Sequence, residues 1–296
     1  MTSLKKITVI TSVRNCLAET QSYLSSIKRY KSNLFNQLIL IDDGSDDETK
    51  EFLLKQEVST HLLRNEQSKG FALSNNLGVT LADSEWLLFM NNDLVLKPNW
   101  YLPFEKVAAG KLNPEKMGCL GNIQIDPRTK RIDHAGVIFR SGTPEHYLRD
   151  TNDFPAQELS EFLSVTGACF MIRRELFLEV GGFDETYQTG FEDIDLCLRL
   201  SMLGYRHYVA NQSRILHKRS STPERNHHQS QNSDIFYRRW GNLVTRFEEW
   251  ENAQQMSESK KHNIENSHAV HVLKRQEKFL FVNKSKRTRQ YSRIID

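Results

Sequence analysis

Trp86-Leu87-Leu88-Phe89-Met90-Asn91-Asn92-Asp93 is the stretch that decides the fold. Five apolar residues run without a break into three polar ones. Such a run reads as a strand buried on both faces, the pattern of a parallel sheet covered by helices. In an open α/β sheet the ligand lies in a crevice outside the carboxyl ends of the strands. Asp93 is therefore delivered to the place a ligand would occupy. A carboxylate among amides there suits a hard divalent cation that keeps oxygens of a bound phosphate. A capped turn after a core strand is the other reading, because Asn and Asp favour turns.

Upstream the pattern repeats. Ile7 to Ser12 is a short β-branched run, and Arg14 and Asn15 sit at its exit. A helix is expected from about Ala18 to Tyr30, with Leu24 and Ile27 inward. Leu38 to Ile41 is a second buried strand ending in Asp42-Asp43-Gly44-Ser45. Ser45 and Glu48 have capping-box spacing for a helix running to about Gln56. His61 to Leu63 is a third strand, and Gly70 to Ala82 a helix with Phe71, Leu77 and Leu81 inward. The alternation argues a mostly parallel sheet with helices on both faces. Acid-bearing turns at Asp42/Asp43 and at Asp93 would line one crevice. Neither GxGxxG nor GxxxxGK[ST] is present to bind phosphate.

Downstream the chain is less regular. A helix is expected over 99–109, then strands over 118–125 and 132–139 joined at Asp126-Pro127. Residues 141–160 read as a surface loop. An apolar stretch over 162–173 is broken by Gly167, and a short helix over 174–180 is stopped by Gly181-Gly182. Phe191 to Leu203 is a helix whose first turn carries Glu192 and Asp193, where acids are favoured by the helix dipole alone. Asp195 points away from Asp193 and has i,i+4 spacing to Arg199. Short strands over 205–209 and 214–216 follow, the second delivering His217. A helix over 230–250 carries Phe236, Trp240, Leu243 and Phe247 and is expected to pack on the domain.

The chain has 296 residues and a net charge of +3, too small to argue for nucleic acid. No run approaches the roughly eighteen apolar residues of a membrane span. Met1 to Lys6 leads straight into a strand pattern, unlike a signal peptide. Cys16, Cys119, Cys169 and Cys197 are scattered, as expected of reduced thiols in a cytoplasmic protein. These features bound one domain over 1–250, with a first half to about 115 and a second half from about 116. Residues 251–296 form a basic tail. Residues 257–296 hold ten Lys/Arg against four Asp/Glu. A solvated, poorly ordered end is the usual meaning of such a tail. Peripheral contact with an anionic inner membrane face is the alternative.

Asp42-Asp43-Gly44-Ser45, Asn65 to Phe71 with Asn75-Asn76-Leu77-Gly78, and Asn91-Asn92-Asp93 stand in a recognisable order. Ile132 to Gly136, Val165 to Cys169, Gly181 to Glu185, Phe191 to Arg199 and His217 complete it. Over residues 5–220 the sequence resembles the family 2 glycosyltransferases, inverting enzymes of the GT-A fold. It is most similar to the rhamnosyltransferase-like enzymes of bacterial polysaccharide and O-antigen synthesis. The resemblance implies a nucleoside-diphosphate sugar donor, a glycan or lipid-linked glycan acceptor, and Mg²⁺ or Mn²⁺. It implies Asp43 on the nucleotide base, within a donor pocket of Thr11, Arg14, Asp42, Lys69, Asn75, Asn91 and Asn92. Asp93 matches the last acid of the DxD motif, whose first position is Asn91 here, and His217 a late histidine of the metal shell. Asp193 matches the general base, with Glu192 as its backup. Gly167, Gly182, Phe183 and Asp184 fall on the acceptor side, where a mobile loop with glycine hinges is expected.

Other functions compete. A nucleotidyltransferase of similar fold would want a Gly-rich, basic loop after the first strand, and Ser12-Val13-Arg14-Asn15 has no glycine. A glycosidase also uses two carboxylates, but acids placed for a base and for a metal-held diphosphate are not its pattern. A catalytically weak sugar-nucleotide-binding scaffold is favoured only by Asn91.

Overall fold

The computed structural model describes residues 7–30, 33, 35–57, 61–187, 189–219 and 229–254. Its first half alternates β1 (Ile7–Val13), α1 (Leu17–Tyr30), β2 (Phe35–Asp43), α2 (Thr49–Leu54), β3 (His61–Asn65), α3 (Phe71–Thr80) and β4 (Trp86–Met90). Strands β3, β2, β1 and β4 lie side by side in that order, all parallel. The chain reverses direction along the sheet at β1, so a crevice opens at the carboxyl ends of β1 and its neighbours. Asp42 and Asp43 end β2 on one side of it, and Asp93 follows β4 on the other.

The second half extends this sheet in mixed sense. β11 (Cys169–Arg173) is antiparallel to β4 and to β6 (Met117–Ile125). β12 (Arg206–His217) is parallel to β6, and β10 (Leu159–Phe162) runs antiparallel along its far side. β5 (Leu94–Val95) pairs with the end of β12, and β7 (Ile132–His134) with the end of β6. β8 (Val137–Arg140) and β9 (Thr143–His146) form a separate two-stranded sheet. The remaining helices are α4 (Leu102–Ala108), α5 (Arg174–Glu179), α6 (Glu192–Ser201) and α7 (Gln229–Gln254). The expected mixed α/β architecture is what the chain adopts.

Each sheet face carries its own core. Trp86, Leu88 and Met90 of β4 face Leu24 of α1 and Phe104 of α4. Leu87 and Phe89 face the other way, toward Val79 of α3, Phe177 of α5 and Leu196 of α6. With both faces covered, polar alternation has no place in β4, hence its unbroken apolar sequence.

Some elements differ from expectation. Ser45 does not cap α2; its hydroxyl accepts the Asn15 N–H at 2.9 Å, and Asp47 receives the Thr49 N–H instead. Of Phe71, Leu77 and Leu81, expected on the inward face of α3, Phe71 packs on the core, but none of the three is fully buried. The buried face is Ala72, Ser74, Asn75, Asn76, Gly78 and Val79, and Leu81 is exposed. A Cβ on Gly78 would stand 2.8 Å from Ile10 Cγ2 and from Ile41 Cδ1. The helix lies so close to the sheet that only small residues fit beneath it. Residues 141–160 contain β9 and lead into β10 rather than forming one loop. The two strands expected over 205–216 are one strand, β12, with an irregularity between Ala210 and Arg214.

Of the described residues, those of Met1–Ile138 and His146–Asn232 form one compact unit. Those of Phe139–Glu145 and Ser233–Asp296 form a second, in which Phe236, Trp240 and Val244 of α7 are buried. The helix passes the boundary expected at residue 250, and the rest of the basic tail lies outside the described residues. No helix among the described residues is long and apolar enough to cross a membrane.

Candidate functional site

The two acids ending β2 have internal partners. Asp42 Oδ1 accepts the Ser45 N–H at 2.8 Å, and its other oxygen pairs with Arg64. Asp43 is more heavily committed. Oδ1 accepts from Asn65 Nδ2, the Lys69 N–H and Ser74 Oγ, each at 2.8 Å. Oδ2 accepts from Ser68 Oγ at 2.7 Å and the Gly70 N–H at 3.0 Å. A carboxylate has about four lone-pair directions, and five donors fill them. The resemblance implies that Asp43 accepts from a nucleotide base; here its donors come from residues 65–74, which it fastens to β2.

Two more expected donor-pocket residues are turned into the fold. Thr11 is fully buried, its hydroxyl 2.6 Å from the Tyr23 hydroxyl. Asn75 is buried and donates to Ser12 Oγ at 3.0 Å and to the Phe71 carbonyl at 2.9 Å, tying α3 to β1. The Lys69 side chain is exposed, and Arg14, Asn91 and Asn92 are half-buried beside the crevice. Asn92 donates to Thr20 Oγ1 at 2.9 Å, holding the turn against α1.

Asp93 and His217 come together. The pairing of β5 with β12 sets Leu94 opposite His217, and the Lys218 N–H donates to the Asp93 carbonyl at 3.0 Å. Asp93 Oδ2 lies 3.4 Å from His217 Nε2, both residues buried. Two ligands each roughly 2.1 Å from one cation stand about 3.0–3.4 Å apart, so this pair has the spacing of neighbouring ligands. Behind His217, Nδ1 lies 2.7 Å from Asp133 Oδ2, and the other Asp133 oxygen pairs with Arg219. Burial pulls the His217 pKa down, but Asp133 and Asp93 together outweigh it and push it up to about 9. Burial opposes ionisation of Asp133 as well, yet His217 and Arg219 hold its carboxyl well below the usual carboxylate range.

The helix α6 presents the adjacent acids differently. Glu192 is buried, whereas Asp193 is half-buried. Asp193 Oδ2 accepts the Gly167 N–H at 2.6 Å, and Oδ1 accepts the Ile194 N–H at 2.8 Å. Burial pushes its carboxyl above the ordinary value, against the pull of those two N–H groups. The next residue, Ala168, accepts the Asn91 N–H at 2.9 Å. One short backbone segment thus links Asp193 to the turn that carries Asp93. Asp195 pairs with Arg199 as its spacing implied, at 2.8 Å.

The loop expected to move on the acceptor side is clamped. Phe183 is buried among Phe71, Phe89, Phe170 and Phe177. Asn76 donates to the Phe183 carbonyl and to Glu185 Oε1 and accepts the Phe183 N–H, all at 2.9–3.0 Å. Arg199 donates to the Val180 and Gly182 carbonyls at 2.8 Å. Asp184 is buried, with Oδ1 accepting from Thr186. Gly182 and Phe183 are held in place by these contacts, and Gly167 of the acceptor-side set touches the candidate base.

The spacing of Asp133 from any other motif concealed its place at the site, although the acid–histidine pair Asp133-His134 was a visible signal. Among the described residues one further group, Cys119, Cys197 and His207, gathers ligand-type atoms. His207 Nδ1 accepts the Cys119 N–H at 3.1 Å and Nε2 faces the Cys197 carbonyl at 2.9 Å, so both ring nitrogens serve the backbone.

Residues 8–181 match the model of Glycosyl transferase family 2. The chain belongs to that family. Residues 132–254 also match the model of Glycosyl transferase family group 2. The O-antigen biosynthesis protein RfbC of Myxococcus xanthus is 31% identical over 63% of the chain and 15% of its own length. Rhamnosyltransferase WbbL of Escherichia coli K12 is 30% identical over 47% of the chain and 58% of its own length. The chain spans under two thirds of either relative. Among solved structures, GalNAc-T7 with UDP, GalNAc and Mn²⁺ is 18% identical with a TM-score of 0.59, over 73% of this chain and 44% of that one. TarS 1–349 of S. aureus in complex with UDP-GlcNAc is 16% identical with a TM-score of 0.54, over 75% and 60%. These likenesses establish the GT-A fold of the chain.

Proposed function

We propose that this family 2 glycosyltransferase moves a sugar, with inversion, from a nucleoside diphosphate to a hydroxyl of a glycan or lipid-linked glycan in surface polysaccharide synthesis. The carrying observation is the Asp93–His217 pair, 3.4 Å apart at the carboxyl ends of the sheet, with Asp193 linked to the same turn. Asp93 and His217 would hold Mn²⁺ or Mg²⁺. A divalent cation there supplies stabilisation of the negative charge on the departing diphosphate. The complexes with Mn²⁺ and with UDP-sugars known for the structural neighbours support this reading.

Asp193 acts as the base. The acceptor oxygen forms its bond to the anomeric carbon while the bond from that carbon to the diphosphate oxygen breaks. The hydroxyl proton passes to Asp193. A carboxylate that burial makes more basic than an ordinary one suits that transfer. A single displacement from the face opposite the leaving group inverts the centre and needs no enzyme nucleophile. Likeness to RfbC and WbbL supports a polysaccharide acceptor and favours rhamnose as the first sugar to test.

Thermal stabilisation by UDP, GDP, dTDP and their sugars, with and without Mn²⁺, tests the donor site, since a ligand of the folded state raises Tm. A Mn²⁺-dependent rise with one diphosphate is expected, and its loss in Asp93→Ala. In a transfer assay with the donor so found, Asp193→Asn should lower kcat by about 10²–10⁴-fold with Tm preserved. Unchanged turnover in that variant would remove Asp193 from the base role. Donor binding without any transfer would turn the reading to a sugar-nucleotide scaffold.

A further inference from the structure

We infer that Asp133 is the positioning residue of the cation site, supplying through His217 the negative charge that the neutral Asn91 does not. The inference rests on the cation reading of Asp93 and His217. Asp133 is almost fully buried on β7, in a segment otherwise remote from the site in sequence. Its Oδ2 lies 2.7 Å from His217 Nδ1. An ionised carboxylate accepts only, so Nδ1 is the donor and Nε2 is left as the nitrogen facing Asp93. That is the arrangement in which a histidine ligates a metal: the ring is oriented, and its basicity raised, by a carboxylate behind it.

Charge supplies the second argument. The turn after β4 brings one carboxylate, Asp93, because Asn91 is an amide. A divalent cation between a single carboxylate and an imidazole would be poorly neutralised before the diphosphate arrives. Asp133 stands one imidazole ring behind the cation position and shares the same hydrogen-bonded line. Arg219 pairs with its other oxygen, so both oxygens have a partner and the carboxylate is fixed in direction.

The test reads free Mn²⁺ by its EPR signal while the metal is titrated into full-length protein, alone and at saturating UDP, GDP or dTDP. Asp133→Asn keeps an acceptor for the Nδ1–H, removes the charge and turns an NH₂ toward Arg219; Mn²⁺ affinity should fall about 10–100-fold. Asp133→Glu should lie between that variant and wild type. Adding Asn91→Asp to Asp133→Asn should recover part of the loss, because a charge returns on the other side of the cation. A purely structural role for Asp133 would not respond to that second substitution. Wild-type Mn²⁺ binding with unchanged affinity in Asp133→Asn would overturn the inference and leave the cation site standing. If Asp133→Asn does not fold, Asp133→Glu decides, and wild-type affinity in it is the overturning result. No Mn²⁺ binding by wild type under any of these conditions would bring down the cation reading and this inference together.

Discussion

At the scale of single residues, the candidate site separates acids that build the fold from acids left to do chemistry. Asp43 and Asp193 both end or begin an element at the crevice, and both read as ligand contacts in the sequence. Asp43 receives five donors, two of them backbone N–H groups, and lies buried. Asp193 receives two and is half-exposed. The consequences of removing the charge should therefore be opposite. Asp43→Asn would turn an NH₂ toward donors that already point at that position, leaving them without an acceptor. We expect it to lose about 2–4 kcal/mol of stability, measured from the urea midpoint. Wild-type stability with a raised donor KM would instead return Asp43 to the nucleotide base. Asp193→Asn should show the converse, a large fall in turnover at nearly unchanged midpoint.

At the scale of elements, legibility followed how closely each element obeyed a simple pattern. β1, β2, β4, α1 and α6 were readable because long apolar runs or a clear helical period marked them. α3 misled because its buried face is small and polar, chosen for closeness to the sheet at Gly78 rather than for apolar area. β12 read as two strands because buried Asn211 and Ser213 look like turn residues, though Asn211 bonds to the Gln157 carbonyl and Ser160 Oγ. In the sequence the two glycines after α5 point to a hinge. Gly182 is there for another reason: its φ is +69°, and a Cβ would stand 2.7 Å from Asn76 Oδ1. Asp133 and its partner His217 lie 84 residues apart, and no local pattern reports a meeting at that range. Gly182→Ala should cost about 1–3 kcal/mol, read as a lowered thermal midpoint. Asn76→Ala should lower it too, and the pair should lose less than the sum, since both act on one contact. Full additivity would mean that Asn76 and Gly182 stabilise the loop independently.

At the scale of the whole molecule, Asp93, Asp133 and His217 join the ends of three separate strands, so their ionisation acts on folding as well as on ligand binding. In the metal-free protein Asp133 and Asp93 push the His217 pKa up to about 9 against the pull of burial, whereas an unfolded histidine titrates near 6.5. A folded pKa above the unfolded one gives stability that is complete below about 6.5 and disappears as pH rises through about 9. The raised pKa sets an upper bound of about 3 kcal/mol on this contribution, shared with Asp133 and not to be counted again for it. Asp133, depressed by the same contact, is lost only in strong acid. The groups facing His217 are Asp93 and Asp133, with the positive Arg219 beyond and the neutral His134, buried, and His146, half-buried, near by. Urea midpoints of wild type and His217→Gln, taken at pH 7 and pH 9.5 in EDTA, isolate the effect from other groups that ionise in that range. Wild type should lose more stability across the interval than the variant does. Addition of Mg²⁺ at pH 9.5 should restore part of the difference in wild type only, because a cation between Asp93 and His217 replaces the lost proton. Parallel losses in both proteins would mean that His217 bears no charge in the folded, metal-free protein at neutral pH.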